Sequence, residues 1–153
     1  MKILLIGNRN IGKSTLLYSL FKNCKYGGIV CIPVFKNGMK IGTDAIDLLN
    51  NKKETFSRIK SMANFDGIET ERYVISIKGL KFCIKALERA YEKSNFIIID
   101  EFGRLEMKEE GIYSIAKKII ESNKSTIIVL RKEIEKEFLK KFDKNFKKLY
   151  MDY

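Results

Sequence analysis

Histidine and tryptophan are absent from this chain of 153 residues, proline occurs once, and cysteine three times. Without histidine there is no Ser-His or Cys-His nucleophile pair, so acid or base work near neutral pH falls to carboxylates, lysines or metal-bound water. Cys24, Cys31 and Cys83 are odd in number and form no paired motif, which argues against a disulfide framework and a zinc site. No apolar run approaches the length of a membrane span. Met1 and Lys2 lead directly into a short apolar run with no small-residue cleavage site, so a soluble, cytoplasmic chain with no membrane partner is expected. Acidic groups are also scarce: 19 Asp and Glu face 30 Lys and Arg, a formal charge of +11. The 24 lysines are spread along the chain without interleaved aromatics, a pattern suited to a solvated surface with ion pairs. Nucleic acid is therefore an unfavoured partner. Polyanion contact stays open only at residues 131–148, where eight basic residues face four acidic ones.

What is present has the length of one domain, residues 1–153, with enough apolar content for a core. Residues 2–6 read as a short buried strand ended by Gly7, and Leu16, Leu17, Leu20 and Phe21 recur at helical spacing over residues 13–23. "GIVCIPVF" and "MKIGTDAIDL" flank Asn37-Gly38, a strong signal for a tight hairpin turn. Pro33 and Gly42 place that hairpin at a sheet edge or give it a bulge. Residues 49–72 have little periodicity and predict a loop with one short helix around residues 56–62. "RYVISI" alternates like a strand, and from Gly79 onward Leu80, Cys83, Ile84, Leu87 and Tyr91 share a helical face. "NFIIID" is a strand of the kind buried on both faces of a parallel sheet. A helix through Ile112 to Ile120, the strand "TIIVL", a charged helix with Ile134, Phe138 and Phe142, and a last strand near "KLYMDY" follow. Strands alternating with helices predict a three-layer α/β/α architecture around a mostly parallel sheet, with the ligand site at the carboxyl ends of the strands.

Gly7 and Asp100 both fall at such ends. "GNRNIGKST" matches G-x-x-x-x-G-K-[ST] with Gly7, Gly12, Lys13 and Ser14, between a strand and a helix as the motif requires. Its glycines let the backbone of Asn8, Arg9, Asn10 and Ile11 turn N–H groups toward phosphates, and the helix adds its N-terminal dipole. Lys13 is expected at the β- and γ-phosphates, the Ser14 hydroxyl on Mg²⁺, and Thr15 beside the α-phosphate. In "FIIIDEFGRLE", Asp100 is placed to hold Mg²⁺, and Glu101 to take a proton from water set against the γ-phosphate. Phe102 and Gly103 continue this strand end into the nucleotide site. Charge on the transferred group calls for cations, and Arg104, Arg131 and Arg9 are the candidates among only six arginines. Glu106 either orients a site cation or faces solvent.

Taken together, "GNRNIGKST", "GGIVCIPVFKNGMKIG", "LERAY" and "IIIDEFGRLEM" resemble the thermophile-type nucleoside-triphosphatase family of small P-loop NTPases, in order and spacing over nearly the whole chain. The resemblance implies a RecA-like sheet with an added hairpin and Mg²⁺-dependent hydrolysis of nucleoside triphosphates with broad base tolerance. It also implies Gly7 to Thr15 as phosphate loop, Asp100 as metal carboxylate and Glu101 as base. Gly103 and Glu106 match family positions. The chain departs from the pattern at Asn10, where a further glycine is usual. It departs again at Ile29 to Ile32, where an aromatic and a Thr-Glu pair are usual. The same loop also serves kinases, although no arginine-rich lid follows Asp100. A nucleic-acid-coupled ATPase or GTP-regulated binding module is a third reading, and no N-K-x-D motif selects guanine.

Overall fold

A computed structural model describes residues 1–151. Asp152 and Tyr153, at the end of the expected last strand, lie outside the described residues. The chain forms β1 (Lys2–Gly7), α1 (Lys13–Phe21), β2 (Gly27–Lys36), β3 (Met39–Asp47), β4 (Lys53–Ile59), β5 (Gly67–Glu69), β6 (Tyr73–Ser76) and α2 (Ile77–Lys93). There follow β7 (Phe96–Ile99), α3 (Arg104–Met107), α4 (Tyr113–Glu121), β8 (Ser125–Arg131), a 3₁₀ turn at Lys132–Ile134, α5 (Glu135–Lys141) and β9 (Phe146–Met151).

All nine strands join one sheet in the order β5-β6-β4-β3-β2-β7-β8-β1-β9. From β2 to β9 the neighbours are parallel, and β8 separates β1 from β7. The period of two along each strand divides the core between two faces. Leu4, Ile6, Ile97, Ile99, Ile128 and Leu130 point to the side covered by Leu87 of α2, Ile119 of α4 and Phe138 of α5. Leu5, Ile98, Ile127 and Val129 point to the other side, where Leu17 of α1 meets them. Three layers result because both faces of the parallel strands are apolar and each needs a cover.

One expectation is corrected, and of the two alternatives for the hairpin the bulge is found. Residues 49–72 hold no helix at 56–62; β4 and β5 occupy this stretch. Its polar residues find their partners across the sheet: the Ser57 and Thr43 hydroxyls lie 2.9 Å apart, and Arg58 meets Asp44 at 2.8 Å. Such pairs support a strand only once β3 is beside it, and so leave no periodicity in the chain itself. The hairpin, in turn, is interior, since β2 lies between β3 and β7. Pro33 is tolerated because β7 ends its pairing at Ile29↔Ile99, so no β7 partner stands opposite the missing N–H. The expected irregularity is present, with register shifts at Val34/Phe35 and at Thr43/Asp44. Asn37 and Gly38 form the turn with φ of 53° and 75°, as a primed hairpin turn demands. Beyond the expected hairpin, β4, β6 and β5 extend the antiparallel side of the sheet.

At the amino ends of the strands, away from the loops that follow β1 and β7, Lys2 is buried. Its Nζ donates to Ile119 O at 2.9 Å, Lys124 O at 2.6 Å and Thr126 Oγ1 at 3.1 Å, tying β1 to the end of α4 and the start of β8. Lys2→Ala strands these acceptors and should cost about 1–3 kcal/mol. Thermal denaturation should register this as a Tm lower by roughly 2–12 °C, with nucleotide binding unchanged.

Candidate active site at the strand ends

The loop between β1 and α1 owes its shape to two different properties of glycine. Gly12 sits at φ 93° and opens α1 from a left-handed conformation. Gly7 is not left-handed; a Cβ there would lie 2.5 Å from Ile11 Cδ1 and 2.8 Å from Met151 O, so space is what it supplies. Asn10 also takes a positive φ, 61°, which asparagine accommodates better than most residues. Lys13, buried at the start of α1, donates from Nζ to Gly7 O at 3.0 Å and Asn8 O at 2.5 Å. Burial lowers its pKa, against the pull of Asp100 and Glu101.

Asp100 follows β7 and is 3% exposed. Its Oδ2 accepts the Cys31 N–H at 2.9 Å and its Oδ1 the Glu101 N–H at 2.8 Å, while the Ser14 hydroxyl also hydrogen-bonds to the carboxylate. Burial pushes its pKa up, and these three bonds and Lys13 pull against that. Glu101 takes a positive φ, 64°, uncommon for this residue type. Its pKa is pushed up to about 7, first by burial, then by Asp100 and Glu106, against Arg131 and Lys40. A carboxyl that ionises near neutral pH suits a general base.

A cleft of about 520 Å³ gathers Arg9, Asn10, Ile11, Gly12, Lys13, Ser14, Thr15, Asp100, Glu101, Phe102 and Arg131. The two motifs, 85 residues apart in sequence (Thr15 to Asp100), thus form one site. Arg131 reaches it because its Cα pairs with Gly7 across β1 and β8. Arg104 is placed otherwise: it pairs with Glu137 at 3.4 Å and Glu133 at 4.0 Å and lines an adjoining recess. Phe102 is an anchor as well as a wall, buried edge-on against Phe138 at 5.1 Å. Glu106 neither orients a site cation nor faces solvent. It is buried, and its Oε1 accepts the Gly103 N–H at 2.9 Å and its Oε2 the Ile112 N–H at 3.1 Å. It therefore pins the loop that carries Glu101.

Sequence reasoning missed the hairpin's share of the cleft. Cys31, Pro33, Phe35, Lys40 and Thr43 line it, and Lys40 Nζ donates to Asn10 Oδ1 at 2.7 Å. The signal was the Asn37-Gly38 turn, which places Lys40 at a hairpin tip; which loop that tip touches depends on the sheet order.

A phosphate loop after the first strand and an acidic strand end, separated by β8 in a three-layer sheet, define a P-loop NTPase α/β fold. Residues 2–152 match the model of the NTPase family, and the chain belongs to that family. Among curated relatives, nucleoside-triphosphatase THEP1 of Thermotoga sp. (strain RQ2) is 28% identical over 134 residues, 86% of this chain and 75% of that protein. The protein of the same name from Methanosarcina barkeri is 26% identical over 159 residues, covering 99% and 88%. The crystal structure of THEP1 from Aquifex aeolicus superposes with a TM-score of 0.77 at 20% identity, over 98% of this chain and 89% of that one. The solution structure of a human cancer-related nucleoside triphosphatase gives 0.70 at 18%, over 99% and 88%. Among the described residues no helix is long and apolar enough to cross a membrane.

Two outcomes test this geometry. A ¹³C titration of the metal-free protein should place the Glu101 midpoint near 7, and Arg131→Ala should raise it, because a cation that favours the carboxylate is removed. Glu106→Gln offers one acceptor oxygen where two N–H groups are bound, and should lower stability by about 1–3 kcal/mol in denaturant melts.

Proposed function

We propose that the protein hydrolyses nucleoside triphosphates to the diphosphate and phosphate, with Mg²⁺ as cofactor and little discrimination among bases. The observation that carries this reading is the Asp100-Glu101 pair facing the phosphate loop across one cleft, with the second carboxyl poised to ionise near neutral pH. The N–H groups of the loop and the start of α1 would receive the phosphates, and Lys13 would exchange its bonds to Gly7 O and Asn8 O for phosphate oxygens.

The donor set suits the metal. Ser14 and Asp100 offer hard oxygens side by side, while no cluster of three or more His, Cys, Asp or Glu among the described residues forms a complete cage. Such a site fits an ion that takes most of its ligands from water and phosphate. When bound, Mg²⁺ supplies neutralisation of charge on the β- and γ-oxygens. Glu101 then accepts a proton from the water whose oxygen attacks the γ-phosphorus, the bond to the β-phosphate oxygen breaks, and the diphosphate leaves. Arg131, at the rim, meets the developing charge. The loop's N–H groups address phosphates and not bases, which supports tolerance of the base. A cytoplasmic setting, where nucleoside triphosphates are made, agrees with this substrate.

One observation favours a second reading, transfer to another acceptor. A recess of about 640 Å³ opens beside Glu101 and Arg131, enough for a small molecule.

Incubation with Mg²⁺ and each nucleoside triphosphate, following free phosphate with and without added acceptors, separates the two. Phosphate should appear with water alone; release that requires an acceptor would establish the second reading instead. Lys13→Ala should weaken triphosphate binding at least about tenfold. Glu101→Gln should bind Mg-nucleotide normally but turn over about 10²–10⁴-fold more slowly. Wild-type turnover in Glu101→Gln would remove the base from the mechanism.

A further inference from the structure

We propose that Lys40, delivered by the β2–β3 hairpin, is a contact for the terminal phosphate, and that Asn10 is the residue that positions it. The inference rests on the nucleotide-binding reading above. It begins with reach. β2 runs on past its last β7 rung at Ile29↔Ile99, so the hairpin overhangs the carboxyl edge of the parallel strands, and β3 returns toward the sheet through Lys40. The 2.7 Å bond from Lys40 Nζ to Asn10 Oδ1 fastens this overhang to the middle of the phosphate loop.

The ammonium is under-used where it stands. Lys40 is half-buried and has three N–H donors, yet among the described residues it makes one hydrogen bond, to a neutral amide, and no ion pair. Burial and the nearby cations Arg131 and Arg9 all disfavour its charge, with Glu101 and Asp100 partly compensating. Cations crowded at one rim with spare donors are what an anion between them would satisfy. Position then says which anion. Lys40, Arg9, Arg131 and Glu101 line both the cleft and the recess, so Lys40 stands where the two meet, at the Glu101 end of the phosphate track. That end belongs to the terminal phosphate if Glu101 faces the attacking water. Asn10 suits its task because it tolerates φ 61° and adds a side-chain carbonyl that glycine would lack.

The prediction is discrimination between nucleotides. With Mg²⁺ present, Lys40→Ala should weaken a non-hydrolysable ATP analogue about 10–100-fold while changing ADP affinity less than about twofold. Lys40→Arg should restore most of the analogue binding. Asn10→Gly keeps the left-handed backbone but removes the amide, so it should lower kcat and analogue affinity with ADP affinity retained. Combined with Lys40→Ala it should add nothing further, since one residue acts through the other. Lys40→Gln serves as a second neutral variant should Lys40→Ala melt below the wild type. Equal losses for ATP analogue and ADP, or no loss for either, would overturn the role of Lys40. Additive effects of the two substitutions would overturn that of Asn10. Failure of the wild-type protein to bind either nucleotide would instead remove the underlying reading, and Lys13→Ala serves as the control that distinguishes the cases.

Discussion

The site depends on one buried carboxylate. Asp100 accepts the N–H of Cys31 on β2 and that of its own neighbour Glu101, and it meets the hydroxyl of Ser14 on α1. A charge so enclosed is stable only when its lone pairs are satisfied, so it constrains every element that supplies a donor. The end of β7, the overhanging part of β2 and the first turn of α1 are thereby held in one register. The phosphate loop, the hairpin and Glu101 all take their positions from this anchor.

Around it the molecule separates grip from chemistry. Under the proposed function, backbone N–H groups, Lys13 and the α1 N-terminus would form the phosphate cradle, and the shape of that loop follows from local backbone conformation. The groups that would act on the terminal phosphate arrive from other strands: Glu101 after β7, Arg131 at the end of β8, Lys40 at the start of β3. Glu106 and Phe138 of α5 do not line the cleft, yet together with Phe102 they fix the backbone that carries Glu101. The conspicuous "DEFGRLE" block thus combines carboxyls at the cleft with bracing behind them.

Much of this was legible in the chain. Continuous apolar runs marked β1, β7 and β8 because strands buried on both faces need no polar alternation. The glycine-lysine spacing marked the cradle because only that backbone points consecutive N–H groups inward. β4 was illegible, since Ser57 and Arg58 acquire strand partners only from Thr43 and Asp44 on β3. Glu106 could not be separated from a solvated surface glutamate, because the two N–H groups it binds belong to a loop that closes only in the folded chain.

By itself the sequence determined the strands β1, β7 and β8 with the helices between them, the glycine-lysine loop and the acidic strand end, all set by residues within one or two turns of each other. The tertiary structure alone decided that β2 lies inside the sheet, that Lys40 reaches Asn10, that Arg131 lines the cleft while Arg104 pairs with Glu137 at its side, and that burial raises the pKa of Glu101. Those properties come from burial and from charges brought together across the fold, and neither quantity is a function of local sequence.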